Sequence, residues 1–116
     1  MLFTQRSEVD IHEMSPLALA FVGDAVLELL VRARLVGTTR LQPNRLHTVA
    51  THYVSAHAQN LELDIIELML TDAEAAVLRR GKNASKATVA KHATVQEYRA
   101  STGFECLLGW LYLNGQ

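Results

Sequence analysis

Two acidic residues stand within otherwise apolar helical stretches, and their placement is the strongest chemical signal in the sequence. Asp24 lies in "LALAFVGDAVLELL" directly after Gly23, and Glu105 lies in "FECLLGWLYL", four residues before Gly109. A carboxylate on an apolar face is strongly unfavourable unless something pairs with it. A glycine inside a helix costs roughly 1 kcal/mol relative to alanine. Both penalties occur together in two separated segments, which indicates a shared cause.

A divalent cation is one such cause. If the two helices pack together, Asp24 and Glu105 converge and offer two hard oxygen ligands of the kind that Mg²⁺ accepts, with water and substrate phosphate oxygens completing its shell. The cation would offset the desolvation of both carboxylates and could support hydrolysis of a phosphodiester. For Asp24 taken alone, an acid that caps or pairs with a neighbouring helix is an equally good explanation.

A second signal is the basic segment 79–92, "RRGKNASKATVAKH". It holds five of the eleven lysine and arginine residues, and no acidic residue occurs between Glu74 and Glu97. Its small polar residues permit close approach to phosphates, and its lack of aromatic residues favours duplex backbones over stacked single-stranded bases. A solvated surface loop is the alternative. The predicted RNA-binding residues are Arg79, Arg80, Lys82, Asn83, Lys86 and Lys91.

The remaining reactive side chains give weaker signals. Glu28 lies four residues before Arg32, which predicts an ordinary helix ion pair. Cys106 has no histidine next to it in the sequence, so we expect a buried, inert thiol and not a nucleophile. No cysteine or histidine spacing suits zinc. Three histidines are spaced by five residues, which spreads them around a helix as surface or packing residues: His47, His52 and His57.

Helix signals dominate the first half of the chain. Ser15 followed by Pro16 predicts a helix start, and Gly37 a stop. Apolar residues recur at helical spacing within 45–61, and a third helix is predicted within 63–70. No stretch shows the sustained alternation of a strand.

Capping signals indicate where helices begin in the second half of the chain. Thr71 and Glu74 form a capping box, and Gly81 is predicted to end that helix. We interpret residues 81–93 as an exposed loop. A second capping box, Thr94 with Glu97, opens a last segment that forms two short helices or one helix bent near 102–103. The fold class is therefore all-α.

Composition bounds the class of protein. A chain of 116 residues with 49% hydrophobic residues fits one globular domain, 1–116. No apolar run reaches the roughly 18 residues of a membrane span, and the N-terminus lacks the features of a signal peptide. One cysteine excludes an internal disulfide and fits a cytoplasmic setting. The net charge of −1 conceals the local basic segment.

Three of these stretches together resemble the ribonuclease III family, in particular its short form, Mini-ribonuclease III. "FVGDAVLELL" resembles the signature helix, in which Asp24 is the metal-binding aspartate. "FECLLGWLYL" resembles the second acidic helix and places the catalytic glutamate at Glu105. "RRGKNASKATVAKHATVQEYR" is similar to the arginine-rich helix end and loop that is associated with RNA binding in the short form. The resemblance spans about residues 14–114.

The resemblance implies a ribonuclease III endonuclease-domain helical bundle that acts as a homodimer. Its two active sites, each with Mg²⁺, would face one double-stranded RNA and each cut one strand. The substrate it implies is precursor 23S ribosomal RNA, with a large-subunit ribosomal protein as a further partner. Longer relatives carry a separate double-stranded-RNA-binding domain, for which we expect no room here. The basic segment would then supply the missing affinity.

The sequence departs from the longer family members at three acidic positions. Where those proteins have glutamates before the signature aspartate, this chain has Leu17 and Ala20, and Thr102 replaces an aspartate. The acidic cluster is thus reduced to Asp24 and Glu105, as the short form leads one to expect. Fewer carboxylates predict weak metal binding in the free enzyme and a high Mg²⁺ requirement.

Two other functions fit parts of the sequence. The lost acidic positions favour a catalytically inactive double-stranded-RNA-binding dimer, which would bind RNA without cutting it. A helical dimer that only bridges proteins would leave the basic segment unexplained. The presence of both Asp24 and Glu105 favours the enzyme.

Overall fold

All regular structure in the described part of the chain is helical, as the sequence predicts. The structure is a computed structural model and describes residues 9–40, 42–55, 59, 63, 65–84 and 95–115. No strand occurs within these ranges. The elements are short 3₁₀ turns at Ile11–Glu13 and Glu67–Met69 and four α-helices, α1 (Pro16–Thr38), α2 (Pro43–Tyr53), α3 (Asp72–Ala84) and α4 (Val95–Leu113).

The N-terminal ends of α1 and α3 form through the local hydrogen bonds that the sequence predicts. The Ser15 hydroxyl accepts a hydrogen bond from the Ala18 N–H at 3.1 Å. Before α3, the Thr71 N–H donates to Glu74 Oε1 at 2.8 Å, and the Glu74 N–H donates to Thr71 Oγ1 at 3.2 Å. These bonds satisfy backbone donors that have no partner inside the helix. The other end of α1 lies one residue beyond the predicted stop at Gly37.

Gly81 and Gly103 both lie inside helices, where the sequence suggests helix ends. The predicted stop at Gly81 is wrong, because α3 continues to Ala84. Of the two alternatives for the last segment, two short helices is wrong, because α4 is one helix through Gly103, and the bend near 102–103 stays a prediction. A Cβ atom at Gly81 would lie 2.8 Å from the Cα of Gly103 and 2.7 Å from the Cβ of Cys106. These glycines therefore permit close contact between α3 and α4. The predicted loop is wrong for residues 81–84, and residues 85–94, including Thr94 of the second capping box, lie outside the described part.

The segment between α2 and α3 is described only in part. α2 ends at Tyr53, earlier than the predicted stretch 45–61, because Val54 and Ser55 form a turn and a bend. The predicted continuation at 56–58 and 60–61 lies outside the described residues. Where a third helix is predicted, Ile65 and Ile66 are helical and lead into the 3₁₀ turn at Glu67–Met69.

The C-terminal helix α4 is the centre of the domain because it packs against both α1 and α3. Its residues 100–104 are all buried, so this part of the helix is enclosed on every side. The buried apolar residues form two clusters, one of Leu27, Leu63, Leu78, Ala100 and Phe104 and one of Leu19, Ala20, Val77 and Cys106. Within the described ranges, none of the helices has both the length and the apolarity to cross a membrane.

Candidate active site

The two helices that carry the acidic residues cross at a pair of glycines. A Cβ atom at Gly23 of α1 would overlap the backbone carbonyl of Glu105 and would lie 2.9 Å from the Gly109 nitrogen. A Cβ atom at Gly109 of α4 would overlap the carbonyl of Leu19. Each pair of contacts spans four residues, so the two backbones touch over one helical turn. Because Asp24 follows Gly23 directly, this crossing places its side chain beside the turn of Glu105.

The two carboxyl groups lie close enough to interact directly. The pKa of Glu105 is raised from 4.5 to about 7, mainly because burial disfavours its charged form. The nearby charge of Asp24 and a side-chain hydrogen bond with Asp24 raise this pKa further, while a hydrogen bond from Gln59 lowers it. Asp24 itself is exposed and Glu105 is partly buried. The convergence expected from the sequence is therefore present.

A third side chain, Gln59, contacts Glu105 from a buried position. It is only 1% exposed, and its Nε2 donates to Glu105 Oε2 at 3.3 Å and to the Val54 carbonyl at 2.9 Å. Its Oε1 is buried and has no donor in the described part of the chain. No feature of the sequence singles out Gln59, because glutamine is ordinarily a surface residue and its local pattern carries no motif.

The residues present fit a magnesium ion, although they form a sparse site. Among the described residues, no group of three or more histidine, cysteine, aspartate or glutamate side chains could hold a metal. Asp24 and Glu105 supply two hard oxygen ligands that repel each other, and neither has an ion pair in the described ranges. A divalent cation would relieve that repulsion. Thr102, which stands where the longer family members have an aspartate, is buried, and its hydroxyl donates to the Tyr98 carbonyl at 3.1 Å.

The predicted RNA-binding residues that the structure describes lie on the last turns of helix α3, and not on a loop. Arg79, Arg80 and Asn83 are exposed. The Lys82 ammonium group forms an ion pair with Glu67 Oε1 at 2.8 Å. Because α3 crosses α4 at Gly81, beside Cys106, its basic end lies next to the turn that carries Glu105. The other two predicted residues, Lys86 and Lys91, lie outside the described part.

The alternative reactive groups have structural roles. Glu28 Oε2 pairs with Arg32 Nε at 3.0 Å, which confirms the predicted helix ion pair. Cys106 is buried, its thiol contacts the Val77 carbonyl at 3.7 Å, and burial raises its pKa to about 11, although nearby Arg80 lowers it. It is therefore a protonated thiol at neutral pH. Two of the histidines are exposed, and the third lies outside the described residues: His47, His52 and His57.

The raised pKa of Glu105 predicts how the metal-free protein responds to pH. Its carboxyl ionises near 4.5 in the unfolded chain but retains its proton up to about pH 7 in the folded protein. The folded state therefore binds more protons between these values, so this group's contribution to stability falls as the pH rises from 4.5 to about 7 and stays low above that. In EDTA, the melting temperature of Glu105→Gln relative to wild type should rise over this window. A difference that is independent of pH would contradict the assignment.

Comparison with known proteins defines the class of protein that this fold and site represent. Residues 17–116 match the family described as the ribonuclease III domain. The chain belongs to the ribonuclease III family and is an endoribonuclease.

Within that family, the chain is similar to several Mini-ribonuclease 3 proteins. The one from Enterococcus faecalis is 46% identical over 109 residues, which cover 92% of this chain and 83% of the relative. The one from Symbiobacterium thermophilum is 47% identical over 103 residues, which cover 89% and 79%. A crystal structure of a Fusobacterium nucleatum protein shares the fold with a TM-score of 0.82 and 31% identity, covering 90% of this chain and 84% of the other. The resemblance to the short form is confirmed.

Proposed function

We propose that this protein is a Mg²⁺-dependent endoribonuclease that cleaves double-stranded RNA as a homodimer, with residues 1–116 as one catalytic domain. The observation that carries the proposal is the meeting of the Asp24 and Glu105 carboxylates where α1 crosses α4. The Mini-ribonuclease 3 relatives support it. By the same resemblance, the substrate is precursor 23S ribosomal RNA in the cytoplasm, with a large-subunit ribosomal protein as a further partner.

The two carboxylates have different surroundings, which gives them different tasks. Asp24 and Glu105 would hold the magnesium ion, and the chemistry that it would supply there is activation of water and stabilisation of negative charge during phosphodiester hydrolysis. Asp24 is exposed, so its carboxylate is accessible to a substrate. Glu105 is partly buried and accepts a hydrogen bond from Gln59. We expect products with 5′-phosphate and 3′-hydroxyl ends.

The basic end of α3 is suited to hold the RNA backbone beside this site. The proposed contacts are Arg79, Arg80, Lys82, Asn83, Lys86 and Lys91. Lys82 must exchange Glu67 for a phosphate, which costs little because an exposed ion pair contributes only about 0–1 kcal/mol. Each neutralised phosphate releases counterions, so RNA affinity should fall as salt is raised.

An exposed apolar stripe on α1 supports the homodimer. Phe21 is 84% exposed, and Leu17, one turn earlier on the same face, is 42% exposed. Burying a phenylalanine side chain contributes about 1.5–3 kcal/mol, so a second copy packed on this stripe would remove a large penalty. Asp24 lies three residues after Phe21, so the interface would adjoin the site.

Replacing Phe21 by aspartate should therefore produce a monomer. The charged side chain would be desolvated in the interface, whereas in the monomer it stays in water. Sedimentation velocity measures the outcome, with Leu68→Asp as the matched control because Leu68 is 93% exposed on the 3₁₀ turn and outside the proposed interface. A dimer that persists in Phe21→Asp, or dissociates equally in both variants, would contradict this interface.

Cleavage of long duplex RNA by the wild-type protein, with and without Mg²⁺, tests the proposed function. We expect fragments with 5′-phosphate ends only when Mg²⁺ is present, and little cleavage of the matching single strand. RNA binding that persists with Mg²⁺ but yields no fragments would favour an inactive RNA-binding dimer. An absence of salt-dependent RNA affinity would favour a protein-bridging role.

The sparse acidic cluster makes a further quantitative prediction for the same assay. With two carboxylates in place of a larger set, the free enzyme should bind Mg²⁺ weakly, and RNA phosphate oxygens should complete the site. Half-maximal cleavage should need millimolar Mg²⁺. Saturation at micromolar Mg²⁺ in a calorimetric titration without RNA would count against this site.

A further inference from the structure

We propose that Gln59 is a positioning residue of the active site, whose side-chain amide holds the Glu105 carboxylate in the orientation in which it faces Asp24 and binds the cation. This inference rests on the proposed function and adds a residue that is neither acidic nor part of the basic segment.

The orientation of the Gln59 amide is determined by its own contacts. Its Nε2 donates one hydrogen to the Val54 carbonyl at 2.9 Å and the other to Glu105 Oε2 at 3.3 Å. A flipped amide would place Oε1 against the Val54 carbonyl, where two acceptors would face each other. Val54 caps the C-terminal end of α2. The amide therefore connects that helix end to the acidic residue on α4.

A neutral donor is well suited to this task. Lysine or arginine in the same place would neutralise Glu105 and compete with the cation for it. An apolar side chain would leave the carboxylate free to turn away from Asp24, because the two groups repel each other. Gln59 restrains one oxygen of Glu105 through a single hydrogen bond and leaves the remaining lone pairs for a metal.

Gln59 is a polar side chain in a buried position, and its contacts indicate what it does there. Its side chain is 1% exposed, and its Oε1 has no donor in the part of the chain that the structure describes. A buried acceptor without a partner is unfavourable, and an apolar side chain of the same length would avoid that cost. The hydrogen bonds to Val54 and Glu105 are interactions that such a side chain could not make, and the second of them reaches the proposed metal site.

Gln59→Met tests the proposal because methionine preserves length and shape but cannot donate. Binding of Mn²⁺, used as a paramagnetic substitute for Mg²⁺, is measured by electron paramagnetic resonance on the full chain without RNA. We expect the dissociation constant for Mn²⁺ to rise about tenfold, as is typical when a residue behind a metal ligand is lost. The Mg²⁺ concentration for half-maximal single-turnover cleavage should rise similarly, and the rate at saturating Mg²⁺ should return toward the wild-type value.

Gln42→Met is the matched control, because Gln42 is exposed and makes no capping hydrogen bond at the start of α2. It should leave both the Mn²⁺ affinity and the Mg²⁺ dependence unchanged. An unchanged Mn²⁺ affinity in Gln59→Met would overturn the proposal. A loss of cleavage that excess Mg²⁺ does not restore, together with a lower melting temperature, would also overturn it, because that pattern indicates a purely structural role.

A measurement on the wild-type protein keeps the proposal testable even if Gln59→Met does not fold. The side-chain amide resonances of Gln59 should shift in nuclear magnetic resonance spectra as Mg²⁺ is added, with the same half-saturation as the backbone resonance of Asp24. Resonances that do not respond would overturn the positioning role. If the wild type neither binds Mn²⁺ nor cleaves, the proposed function itself fails. If it does both while Gln59→Met behaves like wild type, only this inference fails.

Discussion

Asp24→Asn should lower the single-turnover rate of duplex RNA cleavage by at least about 10²–10³-fold, comparable to the loss of one preorganised charge-stabilising group in other enzymes. The substitution keeps the shape of the side chain and removes its negative charge. The carboxylates of Asp24 and Glu105 together would hold the cation. Duplex binding in Ca²⁺ should stay close to wild type, because the basic end of α3 is untouched. Removing the repulsion should also lower the pKa of Glu105, since Asp24 contributes to raising it.

Asp72→Asn makes the same chemical change at a site away from the α1–α4 crossing. Asp72 is exposed in the first turn of α3, where its charge contributes only a modest interaction with the helix dipole. The cleavage rate of the Asp72→Asn variant should match that of the wild type. Comparable cleavage rates for Asp24→Asn and wild type would show that Asp24 is not part of the active site. Equal losses of cleavage rate in Asp24→Asn and Asp72→Asn would indicate a general effect of charge.

Gly23→Ala should destabilise the protein by at least about 3 kcal/mol, or prevent folding, because the added methyl group would overlap a backbone atom. The carbonyl of Glu105 occupies that space and cannot move without separating α1 from α4. The two acidic residues would then no longer meet. Urea denaturation followed by circular dichroism measures the loss.

Gly37→Ala is the matched control, because Gly37 lies in the same helix and a methyl group added there would have no described atom within 4 Å apart from its chain neighbours and the nearby backbone of α1. Alanine should stabilise the protein at this position, by up to about 1 kcal/mol. If both substitutions changed the free energy of unfolding by the same amount, the close crossing at Gly23 would be disproved.

Local features of the fold are predictable from the sequence, whereas the structural role of a glycine within a helical stretch is not. The caps at Ser15 and Thr71 depend on side chains within three residues, so the sequence contains all that is needed. A glycine in a helical stretch fits either a helix end or a close contact. The predictions of a stop at Gly81 and of a break into two helices near Gly103 are wrong because the contacts of these glycines lie in another helix.

The candidate site is predictable to the extent that its residues are unusual where they stand. Asp24 and Glu105 stand out because charge is unfavourable in apolar stretches, and the structure brings them together. Gln59 does not stand out, because its burial and its contact with Glu105 depend on tertiary packing across 46 residues of chain. The exposure of Phe21 is likewise invisible in the sequence, where it resembles any core residue of α1.

The position of a bound cation would show whether Asp24 and Glu105 form a metal site. Crystals grown with Mn²⁺ and measured at an X-ray energy where manganese scatters anomalously would locate the ion independently of the protein. We predict a peak between the carboxylates of Asp24 and Glu105, roughly 2 Å from an oxygen of each. No peak at this position at millimolar Mn²⁺, or a peak that contacts neither carboxylate, would show that these two residues are not the metal ligands.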